Sequence, residues 1–352
     1  MNMADDRPTI LVIGDPMVPA ARMAAPIRDL LGDRYEVVSH DWEREYDAVV
    51  ATNLAVERGG PDAVDVALPA VDGARPVVAV VTHFFPLGAS ALADFPDLHV
   101  VATLRAGTEH IAADHLAQRR ITLVNNAGRN ANAVAEMAVT LMLAHLRHVG
   151  ENHHVMRGGG WRAENPRDGF HELAGSALGL VGLGAVGRLV LRRLAGFELS
   201  ATYHDPYSDQ VEVEGAQPTS LEQVLRSSSV ISLHARLTPE SRGLIGAPEL
   251  EIMRPDALLV NTARAELVDE AALLAALDAG RIAGAALDVF TAEPLSADHP
   301  LRSHPRVLLS PHLAGVTVEA RARAPHLLAS RLADALATAE ASADANPIRR
   351  TD

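Results

Sequence analysis

Short apolar runs alternate with amphipathic stretches along most of this chain. A short apolar run between turn residues is typical of a strand buried on both faces, whereas apolar residues three to four positions apart are typical of a helix. In the N-terminal third, the predicted strands are Thr9 to Asp15, Tyr35 to Val38, Ala48 to Ala51, Val77 to Val81, His99 to Thr103 and Ile121 to Val124. A helix is predicted at Ile111 to Arg119. Strands that alternate with helices predict a parallel sheet covered by helices on both faces.

The alternation resumes after a glycine-rich segment at Gly158 to Trp161. The strands predicted there are Ala177 to Val181, Leu199 to His204, Val230 to His234, Ala257 to Asn261, Ala283 to Val289 and Val307 to Leu309. About six parallel strands are the usual complement of a dinucleotide-binding fold. A helix is predicted at Glu270 to Ala279. We expect a last helix, Glu319 to Thr338, to return to the first domain, and we expect a frayed tail from Ala339 onwards.

The predicted fold class is therefore α/β, with two Rossmann-like or flavodoxin-like parallel-sheet domains and a cleft between them. The expected substrate domain is discontinuous, formed by residues 1–126 and 316–352, and the expected dinucleotide-binding domain spans residues 127–315. The helix predicted at Asn130 to His148 has apolar residues on two sides, so we expect it to connect the domains and to pack against a partner subunit.

A glycine-rich turn follows the predicted strand at Ala177 to Val181 and begins a predicted amphipathic helix. Its sequence is Gly-Leu-Gly-Ala-Val-Gly. Gly182 permits the tight turn, Gly184 lets the backbone approach a pyrophosphate, and Gly187 lets the helix pack against its strand. The helix also directs unpaired N–H groups at the phosphates. A GxGxxG motif alone is a weak signal, and a tight turn without a ligand is the alternative, but the strand and helix that the motif requires are both predicted here.

Asp205 ends the next predicted strand, about 20 residues after the last glycine, where a carboxylate accepts hydrogen bonds from ribose hydroxyls. A carboxylate there repels a 2′-phosphate, and Pro206 and Tyr207 supply no cation to bind one. The sequence therefore favours NAD(H) over NADP(H) as the cofactor.

Three segments at the ends of later strands carry the candidate catalytic groups: Asn261 to Asp269, Leu287 to Pro294 and Ser310 to Gly315. Parallel α/β sheets bind their ligands at the carboxyl ends of their strands. We therefore expect the guanidinium of Arg264, the carboxylate of Glu293 and the imidazole of His312 in one crevice.

These segments contain N-T-A-R, D-V-F-x-x-E-P and P-H-x-A-G. With the glycine loop and Ser232 to Glu240, they resemble the D-isomer-specific 2-hydroxyacid dehydrogenases from about Val100 to Ala314. The segment Gly128 to Glu136 resembles the branch that contains glycerate and phosphoglycerate dehydrogenases. The resemblance implies an NAD-dependent oxidoreductase that transfers hydride between nicotinamide and C2 of a small D-2-hydroxy acid or 2-oxo acid similar to glycerate or hydroxypyruvate.

The resemblance also implies a role for each matching residue. Arg264 binds the 2-oxo acid and polarises its carbonyl, His312 exchanges the proton, and Glu293 favours the protonated imidazole and holds its tautomer. The implied substrate-binding residues are Arg105, Ala106 and Gly107. The implied cofactor-binding residues are Gly182, Gly184, Ala185, Val186, Gly187, Asp205, His234, Thr262, Ala263 and Asp288, of which Asp288 matches the aspartate that binds the nicotinamide carboxamide.

Each catalytic candidate also has an ordinary structural interpretation: a surface ion pair for Arg264, a turn for Glu293 and a satisfied strand-end histidine for His312. Two positions depart from the family pattern, because Ala265 replaces a usual glycine and the substrate loop continues with Thr108-Glu109-His110. The second departure leaves the substrate open. A dehydrogenase of a hydroxyalkyl phosphonate or phosphite fits the same triad, with Arg105 as an extra cation. An NAD(H)-sensing, corepressor-like interaction protein is the alternative from another class.

The composition of the chain limits the classes of partner and metal site that we expect. The formal net charge of −14 argues against nucleic acid or an anionic membrane as the main partner, and the absence of cysteine excludes disulfides and thiolate metal sites. His153 and His154 lack a nearby carboxylate pair, so we predict no metal site. No apolar stretch reaches the ~18 residues of a membrane span, and no secretory signal is evident. We expect a cytoplasmic homodimer that binds a small anionic 2-oxo or 2-hydroxy acid.

Overall fold

The structure, a computed structural model, describes residues 7–42, 45–64, 66, 68, 75–161, 169–207, 213 and 215–344. The chain divides into two compact units, one formed by residues 1–129 and 318–352 and the other by residues 130–317. The divisions expected from the sequence, after residues 126 and 315, lie two to three residues before these.

The first unit contains, among its described residues, a five-stranded parallel sheet in the order β2-β1-β3-β4-β5. Its strands are β1 (Thr9–Gly14), β2 (Glu36–Asp41), β3 (Val77–Thr82), β4 (Val100–Thr103) and β5 (Thr122–Val124). Its helices are α1 (Ala20–Leu31), α2 (Tyr46–Gly59), α3 (Ala89–Ala93), α4 (Ala113–Arg119) and a C-terminal helix, Val318–Asp344. Every residue of β1, β3 and β4 is buried, which explains their nearly uninterrupted apolar sequences.

One strand prediction in this unit is wrong. Residues 48–51 belong to α2 rather than to a strand. Val49, Thr52 and Val56 are buried, at the i, i+3, i+7 spacing of a helix, whereas Val50 is exposed. An apolar run of four residues does not distinguish a strand from a buried helix face, and the longer helical spacing decided the outcome.

The C-terminal helix packs in the first unit against α1, with Leu328 and Leu332 in the same apolar core as Met23 and Ile27. The helix continues to Asp344, so the prediction of a frayed tail is wrong for residues 339–344, and residues 345–352 lie outside the described part of the chain. The hydroxyl of Tyr35 donates a hydrogen bond to Glu340, a tertiary contact that supports this last stretch.

The second unit contains, in the described ranges, a seven-stranded parallel sheet in the order β12-β11-β10-β9-β6-β7-β8. Its strands are β6 (Ala177–Val181), β7 (Ser200–His204), β8 (Gln217–Pro218), β9 (Val230–Leu233), β10 (Leu258–Asn261), β11 (Gly284–Leu287) and β12 (Val307–Leu309). Its helices are α5 (Ala131–Leu146), α6 (Val149–Arg157), α7 (Ala185–Leu194), α8 (Leu221–Ser227), α9 (Ala247–Ile252), α10 (Glu270–Asp278) and α11 (Pro300–Ser303). The six predicted strands are confirmed. The extra one, β8, is a two-residue edge strand where Pro218 is tolerated.

The strand order places a topological switch point between β6 and β9. After β6 the chain builds β7 and β8 on one side, and then crosses to build β9 to β12 on the other. Ligands of parallel α/β sheets bind outside the strand ends at such a point. The helix predicted from Asn130 is confirmed as α5, which packs against α7. Within the described ranges, no helix is both long and apolar enough to cross a bilayer.

Candidate active site

The glycine turn between β6 and α7 depends on glycine at two positions for packing. Gly182 has a φ of +95°, and a Cβ there would lie 2.6 Å from the backbone nitrogen of Ala235 in the loop after β9. A Cβ at Gly187 would collide with the carbonyl oxygen of Gly182. Only glycine therefore allows the turn, its neighbouring loop and α7 to approach one another this closely.

Gly184 differs from these two glycines because nothing in the protein fills the space beside it. Its φ is −72°, which any residue adopts, and no heavy atom lies within 4 Å of the position of a Cβ. Helix α7 begins at the next residue, Ala185, so the first N–H groups of the helix, including those of Ala185 and Val186, have no partners within it. An open position at a helix N-terminus is what a pyrophosphate requires, and these residues fit a dinucleotide.

Asp205 lies at the tip of β7 and is bonded to the glycine turn itself. Its Oδ2 accepts a 2.8 Å hydrogen bond from the N–H of Leu183, and its Oδ1 accepts one of 3.0 Å from Tyr207. A carboxylate has about four acceptor positions, so capacity remains for ribose hydroxyls. Asp205 lines a cavity of about 330 Å³ with Tyr203, His204, Pro206, Pro218, Thr219 and Ser220.

The predicted cofactor-binding residues after β9 and β10 include two buried polar atoms that lack partners. Burial lowers the pKa of His234 to about 4, so this imidazole is neutral at pH 7. Among the described residues, neither Nε2 of His234 nor Oγ1 of Thr262 has a hydrogen-bond partner. Buried polar groups are rarely left unpaired in proteins, so these two atoms are candidates to bind a ligand.

Arg264 lies in a loop that is held by Asn261, the buried last residue of β10. The Asn261 amide accepts a 3.0 Å hydrogen bond from the N–H of Ala263 and donates one of 2.8 Å to the carbonyl of Arg264. The Arg264 side chain is exposed, and its Nη1 donates to the carbonyl of Ala263 at 2.7 Å. The positioning role of Asn261 was not predicted, although a polar residue ending an apolar strand was visible in the sequence.

His312 and Glu293 form a hydrogen-bonded pair. The imidazole Nδ1 lies 2.7 Å from Oε2 of Glu293, and Oε1 of Glu293 accepts a 3.0 Å hydrogen bond from the N–H of Phe290. An ionised carboxylate is only an acceptor, so it selects the tautomer with the hydrogen on Nδ1 and leaves Nε2 for proton exchange. His312 has a φ of +54°, a left-handed conformation that is uncommon outside glycine and occurs preferentially at functional sites.

Asp288 lies beneath the His312 loop and is completely buried. Its Oδ1 accepts a 2.9 Å hydrogen bond from the N–H of Leu313, and its Oδ2 accepts one of 2.8 Å from Ala314.

The loop that carries Glu293 is held in a similar way, because Glu270 accepts a 3.1 Å hydrogen bond from the hydroxyl of Thr291, two residues before Glu293. Nothing in the sequence predicted this contribution of Glu270.

The sheet brings the three catalytic candidates to the same end of neighbouring strands. Arg264 follows β10, Glu293 follows β11 and His312 follows β12, and these strands are adjacent and parallel. The expectation that their loops share one edge of the sheet is therefore confirmed, while their catalytic roles stay predictions.

The predicted substrate loop belongs to the first unit, where it follows β4. Arg105 Nη1 donates a 2.8 Å hydrogen bond to Asn53, and its guanidinium carbon lies 4.4 Å from the centre of the Phe84 ring. The amide of Asn125 donates to the carbonyl of Ala106 at 2.7 Å. The carboxylate of Glu109 lies against Gly107, where it would collide with a Cβ. The loop is thus fixed by neighbours on both sides.

Comparison with known proteins gives consistent results. A family model described as "D-isomer specific 2-hydroxyacid dehydrogenase, NAD binding domain" matches residues 139–314. The chain is 38% identical to a glyoxylate reductase of Thermofilum pendens over 67% of its length and 71% of that protein. It is 37% identical to a D-3-phosphoglycerate dehydrogenase of Archaeoglobus fulgidus over 64% of its length and 43% of that protein. The crystal structure of the TT0316 protein from Thermus thermophilus matches with a TM-score of 0.70 and 29% identity, covering 94% of this chain and 97% of that one.

Proposed function

Because the chain belongs to the D-isomer-specific 2-hydroxyacid dehydrogenase family and is an NAD-dependent oxidoreductase, we propose that it interconverts a small 2-oxo acid and the corresponding D-2-hydroxy acid. Glyoxylate and hydroxypyruvate are the proposed 2-oxo acids, in line with the name of the relative from Thermofilum pendens and with the resemblance of Gly128 to Glu136. The observation that carries the proposal is the 2.7 Å contact between His312 and Glu293. This contact orients an imidazole for proton exchange.

In the proposed reaction, NADH, when bound, supplies a hydride to C2 of the 2-oxo acid. The carbonyl oxygen gains negative charge in this step, and the His312 imidazolium donates a proton from Nε2 to form the hydroxyl group. Glu293 stabilises the imidazolium through Nδ1. In the oxidation direction, the neutral imidazole removes the same proton.

Arg264 supports this step electrostatically. Its guanidinium is exposed on a loop held by Asn261, and such a group stabilises negative charge on a carbonyl oxygen as it develops. Following the family resemblance, we assign the substrate carboxylate to the backbone N–H groups of Ala106 and Gly107, with Arg105 as an adjacent cation.

We further propose that NAD(H) is preferred over NADP(H). The support is the Asp205 carboxylate at the tip of β7, which would repel a 2′-phosphate while accepting hydrogen bonds from the ribose. The glycine turn, with its open position at Gly184, supports binding of the pyrophosphate.

A homodimer located in the cytoplasm stays part of the proposal. Three large apolar side chains near α6 are exposed, Val149 (54%), Met156 (55%) and Trp161 (82%), and burial against a second copy would remove them from water. Sedimentation equilibrium of the purified protein tests the dimer, because a monomeric mass at micromolar concentration contradicts it.

Oxidation of NADH in the presence of a panel of 2-oxo acids tests the reaction. We expect turnover of glyoxylate or hydroxypyruvate, with the D-isomer of glycerate formed from hydroxypyruvate. In His312→Ala, this turnover should be lost. The matched control is His326→Ala, at an exposed histidine of the C-terminal helix, which should keep full activity. Tight NADH binding without turnover of any 2-oxo acid would contradict the proposed reaction and favour an NAD(H)-sensing interaction protein.

A further inference from the structure

Arg129, in the first unit, carries a charge that the described part of the protein does not neutralise. Its guanidinium makes no ion pair or hydrogen bond with any described residue, and its Nε is completely buried. The residue as a whole is partly buried, and partial desolvation of a cation is costly where no counter-charge compensates it. The arginine is therefore poorly explained as a structural residue.

Two backbone hydrogen bonds link Arg129 to Arg105 through Asn126. The N–H of Asn126 donates to the carbonyl of Arg105 at 2.8 Å, and the N–H of Arg129 donates to the carbonyl of Asn126 at 3.2 Å. Arg331 of the C-terminal helix fixes the same segment by donating to the carbonyls of Asn125 and Ala127, at 2.9 and 2.8 Å. The segment that carries Arg129 is thus held beside the predicted substrate loop.

The two arginines are close enough to influence each other electrostatically. Burial lowers the pKa of Arg129, and the positive charge of Arg105 lowers it further. Burial also lowers the pKa of His110, to about 3, and Arg105 adds to this effect. His110 is therefore neutral, and its buried Nδ1 lacks a hydrogen-bond partner among the described residues.

The nearby buried acid, Asp15, is already occupied. Its carboxylate accepts hydrogen bonds from the N–H groups of Met17, Val18 and Phe84, at 2.9 to 3.0 Å, and lies 2.9 Å from Nδ1 of His83. All four acceptor positions of a carboxylate are used in this way. The carboxylate of Glu109, in the segment that follows the substrate loop, lies against Gly107.

We propose that Arg129, together with Arg105, binds a second oxyanion of the substrate, a phosphate, phosphonate or carboxylate group distinct from the carboxylate of the 2-oxo acid. A guanidinium presents a planar set of donors that matches such groups. Two cations and the unpartnered Nδ1 of His110 suit a group with two negative charges. The assignment of this anion to the substrate rests on the proposed reaction.

Kinetics with a matched pair of substrates tests the proposal. Hydroxypyruvate and its 3-phosphate ester differ only in the second oxyanion, and oxaloacetate carries a carboxylate instead. In Arg129→Gln, we expect kcat/KM for the preferred doubly anionic substrate to fall roughly 10- to 100-fold, the size of one lost charged hydrogen bond. The value for hydroxypyruvate should change by less than about 3-fold, because it lacks the group that Arg129 binds. Arg22→Gln, at an exposed arginine of α1, is the control for the change in net charge.

An equal loss for all three substrates would overturn the proposal, as would no loss for any of them. If the wild-type protein turns over none of the three, the proposed reaction fails, and the anion site is then judged by binding alone. Titration calorimetry with inorganic phosphate should detect binding to the wild type and to Arg22→Gln but not to Arg129→Gln. Equal binding to all three proteins, or to none, would overturn the site.

Thermal unfolding separates this role from a structural one. If Arg129 is retained for binding, Arg129→Gln should unfold at the same temperature as the wild type or at a higher one, because an unpaired charge is removed. Phosphate should raise the unfolding temperatures of the wild type and of Arg22→Gln but not that of Arg129→Gln. If Arg129→Gln instead fails to fold, Arg129 has a structural role and the proposal is overturned, unless Arg129→Lys folds and shows the selective loss against the doubly anionic substrate.

Discussion

Asp288 accepts a 2.9 Å hydrogen bond from the backbone N–H of Leu313, although 25 positions separate the two residues. The second carboxylate oxygen of Asp288 binds the next N–H, that of Ala314, at 2.8 Å. Asp288 thus holds the loop that begins with His312, in addition to the nicotinamide-binding role predicted from the family resemblance.

Replacing Asp288 by asparagine tests whether it positions the His312 loop. An amide has only one acceptor oxygen, so one of the two N–H groups loses its partner, at a cost of about 1–3 kcal/mol in the free energy of unfolding. We expect a lower unfolding temperature and a lower kcat at saturating NADH, with KM for the 2-oxo acid little changed. A variant with weaker NADH binding but full kcat would instead limit Asp288 to the nicotinamide.

Replacing His312 by alanine should lower kcat by roughly 10²- to 10⁴-fold, the usual contribution of a general acid. NADH affinity, measured by fluorescence titration, should stay nearly unchanged, because the glycine turn and Asp205 do not depend on this imidazole. Glu293→Gln should have a smaller effect on kcat than His312→Ala, since the imidazole itself remains. A correctly folded His312→Ala protein that has lost NADH binding would contradict the proton-exchange role.

Alanine at two glycines of the turn should affect different properties: NADH binding at Gly184 and stability at Gly187. Gly184→Ala should fold with an unchanged unfolding temperature, since no atom lies within 4 Å of the new Cβ, but should bind NADH roughly 10-fold or more weakly because the pyrophosphate approaches there. Gly187→Ala should lose about 1–3 kcal/mol of stability, because its Cβ collides with the carbonyl of Gly182. If Gly184→Ala keeps full NADH affinity, the turn does not hold the pyrophosphate.

Replacing Asp205 by alanine should reduce the preference for NADH over NADPH, measured as the ratio of the two kcat/KM values. Asp205→Asn separates the two contributions of the carboxylate, because it keeps an acceptor for the N–H of Leu183 and loses the charge that repels a 2′-phosphate. If repulsion dominates, both variants should accept NADPH better than the wild type does. An unchanged ratio in both would rule out the ribose assignment.

Stability at acidic pH should depend on His234. Burial lowers its pKa from 6.5 to about 4, so between these values the unfolded chain binds a proton that the folded chain does not. The stabilising contribution is therefore complete above pH 6.5 and is lost as the pH falls towards 4, on the order of 3 kcal/mol in total. Unfolding temperatures measured from about pH 7.5 to about pH 4.5 should decrease more for the wild type than for His234→Asn. His326→Asn, at an exposed position, should follow the wild type, whereas parallel curves for all three proteins would contradict the shift.

The sequence alone determined the parts of this protein that depend on local pattern. The parallel strands follow from their apolar runs, and the glycine turn follows from the short segment between Gly182 and Gly187. The positions of Arg264, Glu293 and His312 just beyond strand ends also follow from the pattern, and parallel strands end on the same side of a sheet. Residues 48–51 and residues 339–344 were predicted wrongly, since a short apolar run fits two structures and a helix end is stabilised by distant contacts.

Only the tertiary structure decided which groups hold the candidate site and which charges are left unpaired. The partners of Asp288 lie 25 and 26 positions away, and the contact between Asp15 and His83 spans 68. Whether Arg129 has a counter-charge depends likewise on every acid that the fold brings near it. Hydrogen bonds and ion pairs form between whichever groups the packed elements bring together, and burial sets their energies. Neither property is a function of local sequence.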